Sequence, residues 1–386
     1  MSSSLSRREL GFAALGSVAV GQQNVYDGPL QGVESKVDLQ AFDPLVWLRQ
    51  RHASAPLQLT FRAGNRVEAE HWQRELRARV TQLIGGFPGH RCALKPQTLE
   101  TRDFEDHRRE KLVFQSRPGV GVLAYLLTPK TGKPPYPTVI CHPGHSRGAD
   151  DLVGLGGDPA RRPEWLTFQH DYALRLPAHG VAAVVIEPLA FGCRRDPVTR
   201  AKGPEEWACQ PVAAAALLFG ETMIAWRVFD VMRTIDWIET RKELDSSHVG
   251  GIGISGGGTA MLFSAALEER IRAVMVSGYL NTFRDSILSL EHCIDNYVPG
   301  ILNWAEMYDV AGLIAPRPLF AEAGTQDEIF PIAAFHDSFA RVRRIYEVLE
   351  APAALDKEVF EGPHDFRGTR GIPFLARHLR TLPQNG

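Results

Sequence analysis

The chain has 386 residues, 44% of them hydrophobic and 23% charged, a balance that supports a large buried core and argues against general disorder. Its formal charge of -2 provides no basic stripe of the kind a phosphate backbone requires, so nucleic acid is not an expected partner. The five cysteines, Cys92, Cys141, Cys193, Cys209 and Cys293, are scattered, odd in number and without a CxxC pair. They read mostly as free thiols, with one bridge left open for an exported protein.

At the start, Ser6-Arg7-Arg8-Glu9-Leu10 precedes a small-residue apolar run from Gly11 to Gly21. Paired arginines before a modest hydrophobic stretch read as a twin-arginine export signal over 1–22, with a frayed terminus as the alternative. Export to the periplasm or exterior is the expectation if the signal operates, and a cytoplasmic location otherwise. No other stretch approaches the roughly 20 apolar residues needed to span a bilayer.

Residues 23–102 read as an N-terminal helical extension. Between Asp43 and Gly86, Trp47, Leu48, Trp72, Leu76, Val80 and Leu83 are spaced as one apolar face among Arg and Glu residues. From 103 onward the chain reads as a catalytic domain. Short apolar runs at Lys111–Gln115 and Val120–Leu127, separated by Arg117-Pro118-Gly119, predict a hairpin. Buried strands are expected at Thr138–Cys141, Val181–Ile186, Val249–Ile254, Ile271–Val276, Pro318–Glu322 and Lys357–Phe360. Helices are expected between them at Trp165–Leu176, Glu221–Thr240, Gly257–Glu269, Ala333–Leu349 and Ile372–Leu379. Such alternation implies an α/β fold, a mostly parallel central sheet with helices on both faces, and chemistry in the loops beyond the strands' carboxyl ends. The segment 281–315 is long for a connection and reads as a cap. Its Tyr297 and Trp304 are candidates for the pocket wall, with core packing the alternative.

The most specific local feature is Gly251-Ile252-Gly253-Ile254-Ser255-Gly256-Gly257-Gly258, where an apolar strand enters G-x-S-x-G and then a helix. A sharp turn there lifts a serine Oγ above the sheet, and the glycines leave room where side chains would collide. A phosphate-binding or merely close-packed glycine turn is the alternative. Serine is a weak nucleophile alone, so a base and an orienting acid should follow in the order Ser, acid, His. Asp327 lies in Gly324-Thr325-Gln326-Asp327 after a strand, with Glu328 its competitor, and His364 lies in Gly362-Pro363-His364 after the last strand. The other late histidines, His336 and His378, fall on predicted helices. The loop His142-Pro143-Gly144-His145 is expected to present the His145 N–H beside that of Gly256 to an oxyanion. Arg147, in the same loop, is a candidate contact for an acidic substrate. The pair His142 and His145 suggests a metal, but no third ligand stands at recognisable spacing, so no metal or organic cofactor is expected.

Several stretches together resemble the acetyl xylan esterase and dienelactone hydrolase-like branch of the α/β-hydrolases. They are His142–His145, Arg227-Val228-Phe229-Asp230, Ser255–Thr259, His292–Gly300 and Ala315-Pro316-Arg317-Pro318. The resemblance extends from about Asp103 to the C-terminus. It implies an α/β-hydrolase fold, Ser255 as nucleophile, Asp327 as acid, His364 as base, and hydrolysis of a carboxylic ester, such as an acetyl group on xylan, through an acyl-enzyme. Two departures stand out: Glu187 where such relatives often carry Asp, which marks it as a candidate pocket residue, and Glu322 in a usually apolar strand end. A peptidase, a lactonase or a uronate methyl esterase would use the same triad, and a non-catalytic binding protein is the reading from another class.

Overall fold

The computed structural model describes residues 28–156, 167–203, 206 and 208–381; the expected export signal lies outside them. Residues 28–48 belong to a compact unit of their own, with short turns at Gly28–Leu30, Glu34–Lys36 and Leu39–Phe42 leading into helix α1 (Pro44–Ser54). The remainder, from Arg49, is a second unit. The apolar face expected across 43–86 divides accordingly. Leu45, Val46, Trp47 and Leu48 are consecutive and so point around the helix rather than along one stripe, and α1 buries none of its residues. Helix α2 (Arg66–Leu83) does carry a stripe and buries Trp72, Leu76 and Val80.

The second unit is built on a nine-stranded sheet. In chain order its strands are β1 (Gln97–Asp103), β2 (His107–Arg117), β3 (Val120–Pro129), β4 (Tyr136–His142), β5 (Ala182–Ile186), β6 (Leu244–Ile254), β7 (Ile271–Ser277), β8 (Leu319–Gly324) and β9 (Leu355–Phe360). They lie in the order β1-β2-β3-β5-β4-β6-β7-β8-β9. The pairings β1–β2, β2–β3 and β3–β5 are antiparallel, and every pairing from β5 to β9 is parallel. The expected hairpin is β2–β3. β1 is exposed over nearly all its length and lacks the apolar run that announces the others.

Period-two alternation decides which face each strand residue serves. In β5, Ala182, Val184 and Ile186 enter one core while Val181, just before it, and Ala183 and Val185 enter the other; in β7, Val274 and Val276 are divided from Ala273 and Met275 in the same way. The first core is covered by α2, α6 (Met223–Ile238), α7 (Gly256–Leu267), α8 (Met307–Gly312) and α9 (Ile332–Val348), and the second by α3 (Ala149–Leu152) and α10 (Gly371–Thr381). Two further helices, α4 (Pro197–Ala201) and α5 (Cys209–Leu218), follow β5. The helix expected at Trp165–Leu176 does not form over its described part. Residues 168–171 make a turn that contains His170 at φ 53, and only Tyr172–Arg175 coil into a short 3-10 turn. His170 in the left-handed region interrupts the helical path. The 281–315 segment consists of short turns and α8, and sends Phe283, Ile287, Val298, Ile301 and Met307 into the first core. Among the described residues, no single helix is long and apolar enough to cross a membrane.

Candidate active site

Ser255, Asp327, His364 and His145 all stand just beyond the carboxyl ends of parallel strands, β6, β8, β9 and β4 respectively. Ser255 sits between β6 and α7 with φ 57 and ψ -126, in the left-handed half of backbone space that a non-glycine residue enters only under constraint. Its neighbours show why glycine is needed around it. A Cβ on Gly253 would lie 2.1 Å from the Gly257 carbonyl oxygen, and one on Gly257 would lie 2.0 Å from that of His142. The Ser255 N–H donates to the Ser277 carbonyl at 3.0 Å, which anchors the turn to β7.

His364 Nδ1 pairs with Asp327 Oδ2 at 2.6 Å. The other Asp327 oxygen accepts the backbone N–H groups of Ile329 at 3.0 Å and Phe330 at 2.9 Å. Asp327 is thus a fixed, hydrogen-bonded carboxylate, whereas its competitor Glu328 is exposed. The His364 ring packs near those of Phe168, 5.4 Å away by centroids, and Phe330, 5.6 Å away. His364 Nε2 is buried and has no hydrogen-bond partner within the protein. Phe168 joins this ring to the elbow: a Cβ on Gly144 would lie 3.3 Å from Phe168 Cζ and 3.0 Å from Ser255 Cβ. Gly278, at φ 51, passes so close beneath the histidine that a Cβ there would lie 2.7 Å from His364 Cε1.

Gly256 opens α7, so its N–H is one of the helix's first, unpaired donors at the positive end of the helix dipole. In the facing loop the Gly144 N–H is committed to Gln169 Oε1 at 2.6 Å, which leaves the next residue, His145, as the candidate second donor. The His145 ring lies over Gly256, with Cε1 and Nδ1 each 3.0 Å from where a Gly256 Cβ would be. Behind the ring is an ionic cluster: His145 Nε2 stands 3.4 Å from Asp295 Oδ2, and that oxygen also accepts from Arg227 Nη1. Burial opposes charge on His145, yet the Asp295 carboxylate and Cys209 together outweigh it and raise the imidazole above its ordinary value. His142 does not join this group. Its Nδ1 meets the Pro143 carbonyl, and burial pushes it down to about 3, so it stays neutral.

The four residues expected to touch substrate have defined partners within the protein. Arg147 is paired with Asp151 and donates to the Leu155 carbonyl. Glu187 is buried, accepts the Ala149 N–H at 3.3 Å, and is closely approached by the backbone at Gly148 and Gly192. Trp304 lies under the Arg79 guanidinium of α2, 3.7 Å from its centroid, with its carbonyl accepting the Leu59 N–H. Arg147, Glu187 and Trp304 are thus each held by contacts within the protein. Tyr297 keeps 43% of its surface exposed and donates to the Ile287 carbonyl.

Other residues at the site were not singled out from sequence. Phe168 and Gln169 come from the stretch expected to be helical. Glu322, noted only as a departure, accepts Ser277 Oγ at 2.7 Å, the Arg367 N–H at 3.0 Å and the Gly368 N–H at 2.6 Å. It thereby ties the chain just after His364 to β7 and β8.

This geometry can be set beside known proteins. Residues 55–365 match the Abhydrolase family, most of the chain. The chain belongs to that family. A curated relative, "Putative hydrolase YtaP" of Bacillus subtilis strain 168, is 25% identical over 265 residues, 67% of this chain and 82% of its own length. Among solved structures, a putative acetyl xylan esterase from Bacteroides fragilis superposes with a TM-score of 0.70 at 19% identity, covering 82% of each chain. A glucuronoyl esterase from Solibacter usitatus superposes at 0.61 with 14% identity, covering 85% of this chain and 99% of its own. At those identities the shared property is the fold, so this Abhydrolase member has the fold of carbohydrate esterases and the resemblance read from its motifs holds at that level.

Proposed function

We propose that this Abhydrolase-family chain is a serine carboxylic-ester hydrolase that deacetylates a carbohydrate such as xylan. The observation that carries the reading is the His364–Asp327 pair at 2.6 Å, with the second Asp327 oxygen filled by two backbone N–H groups, beside a serine at positive φ between strand and helix. His364 takes the Ser255 proton as Oγ attacks the ester carbonyl, and Asp327 holds the ring's tautomer and stabilises the imidazolium. The Gly256 and His145 N–H groups receive the oxyanion. Water activated by His364 then releases the acid from the acyl-enzyme, and the sequence needs no cofactor.

The acetyl-carbohydrate assignment is supported by the fold shared with the Bacteroides fragilis protein, and the Ser6–Leu10 motif supports an enzyme that meets its polymer outside the cytoplasm. The test compares p-nitrophenyl acetate, acetylated xylan, a methyl glucuronate ester and an aminoacyl anilide, for wild type and Ser255→Ala. Losing the nucleophile should lower turnover on the order of 10⁶-fold. Ser255-dependent acetate release from xylan supports the full reading, and Ser255-dependent turnover of another substrate alone keeps the triad and changes the scissile group. A loss below tenfold in Ser255→Ala, or no turnover of any substrate, removes the assignment.

A further inference from the structure

Behind the loop that carries His145, side chains from three separate stretches converge: His145 after β4, Cys209 at the start of α5, and Cys293 and Asp295 around the 294–296 turn. One ligand atom from each lies within 4.8 Å of those of the other three. His145 Nε2 is 3.4 Å from Asp295 Oδ2 and 3.6 Å from Cys209 Sγ, and Cys209 Sγ is 3.5 Å from the same Oδ2.

Those separations carry information. Zinc binds sulfur at about 2.3 Å and imidazole or carboxylate at about 2.0–2.1 Å, and tetrahedral angles then set about 3.6 Å between S and N or O and about 3.3 Å between N and O. The three measured edges follow that pattern. A histidine–carboxylate separation of 3.4 Å is long for the charge-assisted hydrogen bond that such a pair would otherwise form. It is the spacing of two ligands that share one ion.

Charge supports the same reading. Two thiolates and a carboxylate carry three negative charges, which a divalent cation and the Arg227 guanidinium together neutralise. Arg227 is in place for this: 2% exposed, it donates through Nη1 to Asp295 Oδ2, and its Nη2 lies 3.6 Å from Cys209 Sγ. Hydrogen bonds from outside the ligand set commonly orient and tune a metal's ligands in this manner.

We propose that His145, Cys209, Cys293 and Asp295 bind one zinc-class divalent cation as a closed, four-coordinate structural site. Binding displaces the protons held by the two thiols and any proton on His145 Nε2, and with four protein ligands no position is left open for substrate or water. The ion would tie α5 and the 294–296 turn to the back of the His145 ring, whose front face packs on Gly256. The site braces the wall beside Ser255 without entering the chemistry, and it stands whether or not the chain proves to be an esterase.

The test uses the full chain, treated with reductant and EDTA, exchanged into buffer without chelator and titrated with Co²⁺ by visible absorption. The expected result is one equivalent bound, with a thiolate-to-cobalt charge-transfer band and the intense d–d bands of tetrahedral cobalt, both removed by Zn²⁺. Cys293→Ser should weaken binding on the order of 100-fold, one ligand's share of a typical four-ligand zinc affinity. Cys92→Ser, outside the cluster, should bind as wild type does. His145→Ala serves as the second ligand variant should Cys293→Ser fail to fold. Reduced wild-type protein that gives no thiolate band, or only the weak spectrum of octahedral cobalt, overturns the proposal. So does a Cys209–Cys293 disulfide that, once reduced, yields thiols without metal affinity. None of these readouts uses ester hydrolysis, so failure of the site and failure of the proposed activity are distinguishable.

Discussion

Replacing Glu322 by Gln removes one carboxylate oxygen from a buried position that receives three donors, Ser277 Oγ and the N–H groups of Arg367 and Gly368. A glutamine can keep its carbonyl on the Ser277 and Arg367 side, because a serine hydroxyl and an N–H can share that acceptor. Its amide NH2 then faces the Gly368 N–H, donor against donor. Leaving one buried donor unsatisfied costs about 1–3 kcal/mol. Relief would come from movement of the 367–368 backbone, which continues directly from His364. A displacement on the order of 1 Å in a catalytic group can cost about 100-fold in rate. The expected outcome is therefore a fall of about 10- to 100-fold in kcat for p-nitrophenyl acetate with KM nearly unchanged, together with a Tm lowered by a few degrees in calorimetry. Glu322→Asp, which keeps the charge on a shorter arm, should recover part of kcat. If Glu322→Gln lowers Tm while kcat stays within twofold of wild type, Glu322 braces the fold alone and its assignment as a positioning residue for His364 is wrong.

Gly278→Ala would place a Cβ 2.7 Å from His364 Cε1 at a φ of 51, so kcat should fall by about 100-fold or more, with the His364 imidazole resonances shifted in NMR spectra. A variant with unaltered turnover would mean that the loop yields freely. Glu187 provides a pH dependence. Burial first, and then the Asp150 carboxylate, raise its carboxyl from 4.5 to about 8. Because the folded state holds this proton more tightly than the unfolded chain, Glu187's contribution to stability is complete below about pH 4.5 and declines as pH rises through about 8. Glu187→Gln should flatten the fall of Tm across that window, and an identical pH profile for the variant would show that Glu187 does not titrate there.

The parts legible in sequence are those encoded within a few neighbouring residues. Apolar runs bounded by glycine and proline announced the parallel strands. The Gly253–Gly257 spacing announced the elbow, because only residues without a Cβ allow Gly257 and the His142 carbonyl to approach as closely as they do. Asp327 and His364 could be singled out as candidates because, in a parallel sheet, the ends of the strands are where the loops meet. In the structure the two side chains meet in one hydrogen bond.

Other parts had no local expression. The stretch with Phe168 and Gln169 has the composition of a helix, yet a left-handed His170 turns it toward the His145 loop and the His364 ring. The partners of Arg147 and Trp304, Asp151 and Arg79, could not be read from the sequence and appear only in the structure. Glu322 resembled a misplaced charge in an apolar strand because its three donors come from β7 and from a segment 45 residues and more along the chain. The cluster around Asp295 is the clearest case. Cys209 and His145 are separated by 64 residues and Cys209 and Asp295 by 86, so no spacing along the chain relates them. Periodicity, turn chemistry and the elbow are properties of short stretches and can be read in order. Convergence of polar side chains depends on which strand lies beside which, and here β4 lies between β5 and β6, an arrangement that exists only once the sheet has formed.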